Sequence, residues 1–427
     1  MVALALAGAG LVGVTAPTAG ALGATGPSAP SGAATVTVTG TQDGADAGRD
    51  ARRGVDARAL DAAVRGMVDP GGASATLARV SERGRTVWKG AAGTADLSTG
   101  APVDADGLFR IGSVTKTFVS TVVLQLVAEG RLRLDDPVEK LLPGAVPNGR
   151  NITLRQLLNH TSGLFNYTED DLFNYEADPV RLQQWLETGR FTQYTPQQLV
   201  AVANAHPPYF APGQGWHYSN TNYLVVGQIV ERVTGHSWQQ EVDRRIVRRL
   251  GLTHTSMPDH STTIPGPHAH GYYDLPAGPA DVTEVDPSMA GAAGAGISTT
   301  ADLTTFVTAL IGGRLLPRPL LAEMMAVTPQ SGQEYGLGLQ RVSTPCGPVW
   351  GHAGGIPGYN TFVYTDSDTR RQFAASVNAF DMSDLPATNA AFQKLLDTGA
   401  CGGPPPTTPV PATAVPATAV PALTPAG

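Results

Sequence analysis

The order in which apolar patterns follow one another along the chain constrains its fold more than any other feature. A predicted strand pair comes early, at 75–81 and 85–91, and a helical middle follows it. The late strand-like segments lie at 336–342, 349–352, 359–365 and 372–378. Because strands and helices do not alternate, as they do in parallel sheets, the pattern predicts an α+β fold with an antiparallel sheet flanked by helices. The early strands and a final helix at 388–396 would pack with the late strands, and the mostly helical region would lie beside the sheet, leaving a cleft between them.

Helical periodicity is clearest after Ser113, where apolar residues recur one turn apart until Gly130, a residue type that commonly ends helices. The other predicted helices are 55–68, 154–159, 196–205, 223–233, 238–250 and 302–310. We expect the apolar face of the helix after Ser113 to be buried.

The amino-terminal residues differ in composition from the rest of the chain. Residues 2–16 form an apolar stretch of small residues, and an A-x-A-like cleavage context follows around Ala19 and Ala21, so residues 1–24 are predicted to be the signal peptide of a secreted, extracellular protein. No basic residue precedes Arg49, so the positively charged part of such a peptide is missing, and an Ala/Gly-rich disordered leader is the alternative. The stretch is too short and too weakly apolar to span a membrane.

Composition also sets the remaining boundaries. Residues 25–54 are predicted to be a disordered linker, and residues 402–427 a disordered tail rich in Pro, Ala and Thr. Residues 55–401 are then predicted to form the folded domain. Lys and Arg number 29 against 36 Asp and Glu, a net charge of −7, and no basic run occurs, so nucleic acid is not an expected partner.

The chain contains two cysteines, Cys346 and Cys401. In an exported protein such a pair is expected to form a disulfide, which would join the end of the domain to a strand 55 positions earlier. Neither residue lies in a C-x-x-C motif, which disfavours a role as metal ligand or nucleophile.

His268 and His270 are a possible metal pair, but their Pro-rich surroundings favour solvated loop histidines, so no metal site is predicted.

Ser113 and Lys116 lie one helical turn apart, so their side chains share a face of the helix. A serine hydroxyl needs a base before it can act as a nucleophile, and a lysine can serve when burial lowers its pKa. The helix N-terminus adds backbone N–H groups that stabilise an anion. The alternative interpretation is a capping serine beside a surface lysine. Only four lysines occur in the chain, which makes a lysine at this position informative.

Two further motifs carry residues suited to catalysis. Tyr218 and Asn220 lie in a polar loop before an apolar helix, where a phenol can pass a proton and an amide can hold a substrate carbonyl. A loop tyrosine and a helix-capping asparagine are the alternative. His352 lies in a Gly-rich segment, 351–355, that would let the backbone approach a ligand closely, although such turns between strands are common. No serine lies in a G-x-S-x-G motif, which disfavours an α/β-hydrolase.

In combination, these motifs resemble those of the penicillin-recognising serine hydrolases. Ser-x-x-Lys, Tyr-x-Asn and His-x-Gly occur in that order, and the resemblance extends over residues 60–401. The Tyr-x-Asn and His-x-Gly motifs are similar to those of the branch that contains class C β-lactamases and secreted serine D-Ala-D-Ala carboxypeptidases. Further similar stretches are 109–116, 160–164, 218–222 and 335–339. The resemblance implies a β-lactamase/transpeptidase-like fold.

The resemblance also implies a role for each motif residue. Ser113 would attack the substrate carbonyl and form an acyl-enzyme. Lys116 and Tyr218 would share proton transfer, with either of them as the base. Asn220 would hydrogen-bond the acyl-side amide, and His352 would contribute polarity near the leaving group.

The late strands supply the remaining substrate-binding candidates. In a His-x-Gly strand, Gly354 and Gly355 would line the substrate, and the Gly355 N–H would form an oxyanion hole with that of the nucleophile. The carboxypeptidases grip the substrate carboxylate with an arginine and with hydroxyl residues beside the His-x-Gly motif, whereas this chain has Gln340, then Arg341, and Ala353. Side chains alternate along a strand, so Arg341 should point away from the face that Gln340 occupies, which weakens carboxylate recognition.

The expected function is that of a secreted serine hydrolase that acts through an acyl-enzyme, is D-Ala-D-Ala carboxypeptidase-like and binds penicillin. The alternatives within the family are an esterase, a β-lactamase and a D-amino-acid peptidase. A catalytically idle protein that binds penicillin or peptides is a further alternative. The expected ligands are small peptides, amides, esters and β-lactams, no cofactor is implied, and a monomer is expected.

Overall fold

The computed structural model describes residues 54–381 and 384–406. The predicted signal peptide, nearly all of the predicted linker and the predicted tail from residue 407 lie outside the described residues. No helix in the two described ranges combines the length and the apolar character that a membrane span requires.

One seven-stranded sheet organises the described residues. The strands are β1 (Ala73–Glu82), β2 (Arg85–Asp96), β3 (Ala101–Pro102), β4 (Phe109–Arg110), β5 (Tyr272–Leu275), β6 (Gly278–Asp281), β7 (Ile297–Ser298), β8 (Gln340–Thr344), β9 (Gly347–Ile356), β10 (Tyr359–Asp366) and β11 (Arg371–Ala379). The sheet order is β3-β2-β1-β11-β10-β9-β8, and all its neighbours are antiparallel. The early hairpin therefore joins the late strands through β1 and β11, which confirms the predicted α+β architecture.

Helices cover both faces of this sheet. The helices are α1 (Ala57–Val68), α2 (Thr115–Ala128), α3 (Val138–Leu141), α4 (Leu154–Leu158), α5 (Pro179–Glu187), α6 (Pro196–Asn204), α7 (Asn220–Thr234), α8 (Trp238–Val242), α9 (Arg248–Leu250), α10 (Thr300–Ile311), α11 (Arg318–Met325) and α12 (Leu385–Cys401). On one face, α1 and α12 pack together and enclose an apolar core. On the other face, α10 packs against β10 and β11, and the larger core extends from there into the helical region.

Helix α2 lies at the centre of the larger core, because its residues from Thr115 to Leu126 are all buried. A helix that is buried on every side belongs to the interior of a protein. Phe118 of this helix stacks on Phe306 of α10, with ring centroids 3.7 Å apart. The core therefore fixes the position of α2 relative to the sheet.

Several predicted elements differ from the observed ones. The predicted strand at 336–342 is a strand only from Gln340 onward, because the Gly336 and Gly338 backbones are packed into a tight loop. The Gly338 residue has φ +70°, and a Cβ there would lie 2.0 Å from Ser120 Oγ. The strand predicted at 349–352 extends to Ile356 in β9, so the alternative of a turn at 351–355 is wrong, and the predicted helix at 238–250 contains a π-helical part between α8 and α9. The sequence patterns missed α5, α11 and the β5–β6 hairpin.

Cys346 and Cys401 form a disulfide in the structure, as the sequence predicts. The bond joins the turn between β8 and β9 to the last residue of α12. It therefore links the edge of the sheet to the helix that covers one of its faces.

Candidate active site

Ser113 lies in a 3₁₀ turn, Gly112–Val114, that leads directly into α2. Gly112 has φ +49°, and a Cβ at this position would lie 2.8 Å from the Gly355 nitrogen of β9. Glycine therefore permits the turn to approach the strand closely. Ser113 itself is partly exposed, so its hydroxyl is accessible to a substrate.

Lys116 is completely buried one turn further along α2. Its Nζ lies 2.9 Å from Ser113 Oγ, 2.8 Å from Asn220 Oδ1 and 2.7 Å from the Ala293 carbonyl oxygen. Burial lowers the pKa of the Lys116 amine well below its usual value. A neutral amine has two N–H bonds and one lone pair, and the two carbonyl oxygens accept both N–H bonds. The lone pair then faces the Ser113 hydroxyl, as a general base requires.

Tyr218 adjoins this pair. The Lys116 nitrogen lies 4.8 Å from the centroid of the Tyr218 ring, and the Ser113 hydroxyl is near enough to the Tyr218 phenol to lower its pKa slightly. Burial raises the pKa of Tyr218 above its usual value, so the side chain is a neutral phenol at physiological pH. The structure thus brings the three predicted residues Ser113, Lys116 and Tyr218 into mutual contact.

Asn220 is the first residue of α7, and its amide is held at both ends. The carbonyl end faces Lys116, while Nδ2 lies 3.3 Å from Asn166 Oδ1 and 3.4 Å from Thr168 Oγ1. Asn166 Oδ1 also accepts the Asn220 backbone N–H at 3.0 Å. These contacts fix the orientation of the amide beside the nucleophile. The two partners in 166–168 were not predicted, since their spacing from Asn220 carries no sequence signal.

Strand β9 presents an open edge next to Ser113. Gln340, the first residue of β8, pairs with Gly351. The pairing of β8 with β9 therefore does not extend to Gly355. The Ala353 N–H donates to the Gln340 side-chain Oε1 at 2.9 Å, on the β8 side of β9. Residues two apart in a strand direct their N–H groups the same way, so the Gly355 N–H also points to this open side. Gly354 packs against the nucleophile turn, and a Cβ there would lie 2.8 Å from the Ser113 nitrogen.

The two candidates on β8 lie on different faces of the sheet. Gln340 Oε1 accepts both the Ala353 N–H and the Tyr364 hydroxyl, the latter at 2.9 Å. Arg341 pairs with Trp350, one position further from Ser113 along β9, and its side chain projects from the opposite face. The neutral Gln340 amide therefore adjoins the open edge.

His352 is buried on the face of β9 that points toward α2. Its Nε2 lies 2.8 Å from the Tyr335 hydroxyl, and its Nδ1 contacts the Ala353 carbonyl oxygen. Burial lowers the pKa of His352 to about 3. The ring is therefore neutral at physiological pH. In the described ranges, no group of three His, Cys, Asp or Glu side chains is placed to hold a metal ion.

A helix-covered antiparallel sheet, with Ser113 at the start of a buried helix and an amine within hydrogen-bond distance, defines a serine hydrolase of the β-lactamase and penicillin-binding protein fold class. Residues 60–397 match the family model described as beta-lactamase. Since this match covers more than half of the chain, the protein belongs to the beta-lactamase family, whose members include penicillin-binding protein homologues.

Known relatives of this chain have several activities. A solved D-stereospecific amidohydrolase from Streptomyces sp. is 40% identical, with a TM-score of 0.72, over 82% of this chain and 100% of that protein. Penicillin-binding protein 4* of Bacillus subtilis (strain 168) is 27% identical over 308 residues, which are 68% of this chain and 65% of the relative. Esterase EstB of Burkholderia gladioli is 36% identical over 181 residues, 41% of this chain and 45% of the relative. The chain thus aligns with less than two thirds of the length of either of these last two relatives.

Proposed function

We propose that this serine hydrolase forms an acyl-enzyme on Ser113 and hydrolyses D-aminoacyl amides and esters. The observation that carries the proposal is the Lys116 amine, 2.9 Å from Ser113 Oγ and held by two carbonyl acceptors. This arrangement supports acyl transfer, because a neutral amine accepts the hydroxyl proton as the oxygen attacks a carbonyl carbon.

In the first step, the Ser113 proton moves to Lys116 and a tetrahedral intermediate forms. The backbone N–H groups of Ser113 and Gly355 would donate to its oxyanion, which is where such donors contribute most to catalysis. Once protonated, the Lys116 ammonium has three N–H bonds and three acceptors, so neither charge state leaves a buried donor unpaired.

In the second step, the leaving group needs a proton. Tyr218 remains a phenol, and its position beside Ser113 and Lys116 would let it donate to the leaving nitrogen or oxygen and recover a proton from Lys116. A water molecule, activated by the same groups, would then hydrolyse the acyl-enzyme. We assign the base role to Lys116 and the relay role to Tyr218, because burial shifts their two pKa values in opposite directions.

The substrate class follows from the charge at the open edge of β9. A terminal carboxylate would meet the Gln340 amide, which carries no positive charge, and the methyl group of Ala353. An amide or ester without a free carboxylate next to the scissile bond needs no cation there. The 40% identical amidohydrolase, which is D-stereospecific, supports the same class.

A D-Ala-D-Ala carboxypeptidase remains the second candidate, because penicillin-binding proteins are among the relatives. Turnover of a D-alanyl amide, a D-alanyl ester and a D-Ala-D-Ala peptide, each with its L counterpart, separates the two. We expect the D-amide and D-ester to be cleaved faster than the D-Ala-D-Ala peptide. Preferred cleavage of the peptide would favour the carboxypeptidase, and an unlabelled Ser113 after treatment with a fluorophosphonate would remove the acyl-enzyme proposal.

We further propose that the protein acts outside the cytoplasm, which the Cys346–Cys401 disulfide supports because such bonds persist in oxidising compartments. Mass spectrometry of the protein recovered from the culture medium tests both the location and the predicted cleavage near residue 24. A protein found only inside the cells would contradict this proposal.

A further inference from the structure

A chain of buried polar groups connects the loop that carries Tyr218 and Asn220 to strand β9. The backbone N–H of Ser219 lies 3.2 Å from His160 Nδ1, and His160 Nε2 lies 3.2 Å from the Tyr335 hydroxyl. The Tyr335 hydroxyl lies 2.8 Å from His352 Nε2. His160, Tyr335 and His352 are all buried, so water does not replace any of these contacts.

The direction of each hydrogen bond in this chain is determined by its two ends. A backbone N–H only donates, so His160 Nδ1 is unprotonated, and the proton of the neutral ring is on Nε2. At the other end, the Ala353 carbonyl oxygen only accepts, so His352 Nδ1 is protonated and Nε2 of the neutral ring is an acceptor. The Tyr335 hydroxyl has one proton, and it therefore accepts from His160 and donates to His352.

Both ends of the chain lie next to groups of the proposed mechanism. Ser219 is the residue between Tyr218 and Asn220, and Ala353 is two residues before Gly355, whose N–H faces the proposed oxyanion. The chain thus spans the site behind Lys116, from the proton-transfer loop to the oxyanion strand. His160 Nδ1 also accepts from Asn222 Nδ2 at 3.1 Å, whereas loss of the Tyr335 hydroxyl would leave His160 Nε2–H and His352 Nε2 without this partner.

Building on the proposed function, we propose that His160 and Tyr335 are positioning residues that hold the Tyr218–Asn220 loop and the Gly355 strand in register through a one-directional hydrogen-bond chain to His352. His352 accepts at Nε2 and donates at Nδ1 to the backbone, so its ring is a structural link and not a proton donor to the leaving group.

The tautomers test the chain without any substrate. In the full chain with ¹⁵N-labelled histidine, long-range proton–nitrogen NMR separates protonated from unprotonated ring nitrogens. We expect a protonated Nε2 in His160 and a protonated Nδ1 in His352, assigned with His160→Asn and His352→Gln variants. A protonated Nε2 in His352 near neutral pH would overturn the proposal, and this result is independent of whether the proposed activity is correct.

Kinetics test the positioning role. Tyr335→Phe keeps the ring but removes the link, and we expect it to slow acylation of Ser113 by a fluorophosphonate about tenfold, since small misplacements of reacting groups reduce rates strongly. Tyr359→Phe is the matched control, because it removes another buried phenol, whose hydroxyl donates to the Ala269 carbonyl oxygen at 2.8 Å. We expect this control to acylate at the wild-type rate.

His160→Asn provides a second test at the other end. His160 has φ +64°, a conformation that asparagine adopts more readily than most residues, and an asparagine oxygen can still accept the Ser219 N–H. It cannot reach Tyr335, so we expect a loss similar to that of Tyr335→Phe and no further loss in the double variant. Additive losses, or equal acylation rates in Tyr335→Phe and Tyr359→Phe, would overturn the proposal. If the wild-type protein does not react at Ser113, the proposed function fails instead.

Discussion

Gly354 offers a steric test of the active-site geometry, because it packs directly against the turn that carries the nucleophile. A Cβ at this position would lie 2.0 Å from the Ile111 carbonyl oxygen and 2.8 Å from the Ser113 nitrogen. Ordinary van der Waals contact begins at 3.4 Å, so Gly354→Ala requires β9 and the turn to separate by about 1.4 Å. At the adjacent Gly355, by contrast, the nearest atom to an added Cβ is Asn360 Oδ1 at 3.6 Å.

The size of the expected effect follows from this displacement. A misplacement of about 1 Å between reacting groups can cost about a hundredfold in rate. We therefore expect Gly354→Ala to reduce Ser113 acylation about a hundredfold, because the two backbone donors of the proposed oxyanion hole no longer converge. Overpacking should also lower the free energy of unfolding by about 1–3 kcal/mol. Gly355→Ala keeps its N–H and should stay within about threefold of the wild-type rate.

Stopped-flow acylation with a nitrophenyl ester, followed by the mass of the labelled protein, measures both variants. Circular dichroism during heating shows whether Gly354→Ala remains folded at the assay temperature. Equal acylation rates in Gly354→Ala and Gly355→Ala would refute the reasoning, since the two variants differ mainly in the predicted clash.

Lys116→Met should slow acylation about a thousandfold through loss of the base. It should also raise the unfolding temperature at pH 7, because burial lowers the pKa of Lys116, so that at this pH the unfolded chain binds a proton on Lys116 that the folded protein does not bind. A lower unfolding temperature in calorimetry would contradict this. The wild-type protein should regain stability relative to Lys116→Met as pH rises toward 10.5, measured by urea unfolding. In pH profiles, kcat/KM should reach its plateau well below pH 10.5 and should fall at lower pH, where Lys116 becomes protonated. A plateau that is reached only near pH 10.5 would contradict the lowered pKa. Serine at both Cys346 and Cys401 opens a 55-residue loop and should lower the free energy of unfolding by up to about 4 kcal/mol; a loss below about 1 kcal/mol would be inconsistent.

Local patterns were sufficient for the parts of the site that lie within one element. The three-residue spacing of Ser113 and Lys116 places both on one helix face, and the Lys116 Nζ does lie 2.9 Å from Ser113 Oγ. Alternation along β8 likewise predicted that Gln340 and Arg341 occupy opposite faces, as their pairing with Gly351 and Trp350 shows. Periodicity fixes such relations because it does not depend on tertiary contacts.

Contacts between distant segments carried no comparable signal. The Ala293 carbonyl oxygen that accepts from Lys116 lies 177 positions away and belongs to the backbone, so no residue type marks it. The residues before β8 predict a strand from 336, but Leu337 N and Gly338 N donate to carbonyl oxygens of α11 and α4. His160 and Tyr335 lie in stretches that resemble the family, yet only the fold shows that they bond each other.

The pKa of Lys116 depends on the same helix that the sequence identifies most clearly. Desolvation is the cause of the lowered pKa, so the effect requires that water be excluded along the whole first half of α2. Residues on every side of α2, including polar ones such as Thr117 and Ser120, are buried and hydrogen-bonded to neighbouring segments. A partial opening of this helix would restore the ordinary pKa and protonate the amine. The apolar core around α2 is therefore a requirement of the proposed chemistry as well as of folding, and variants that loosen the core, such as Phe306→Ala beneath Phe118, should lose activity at neutral pH before they unfold.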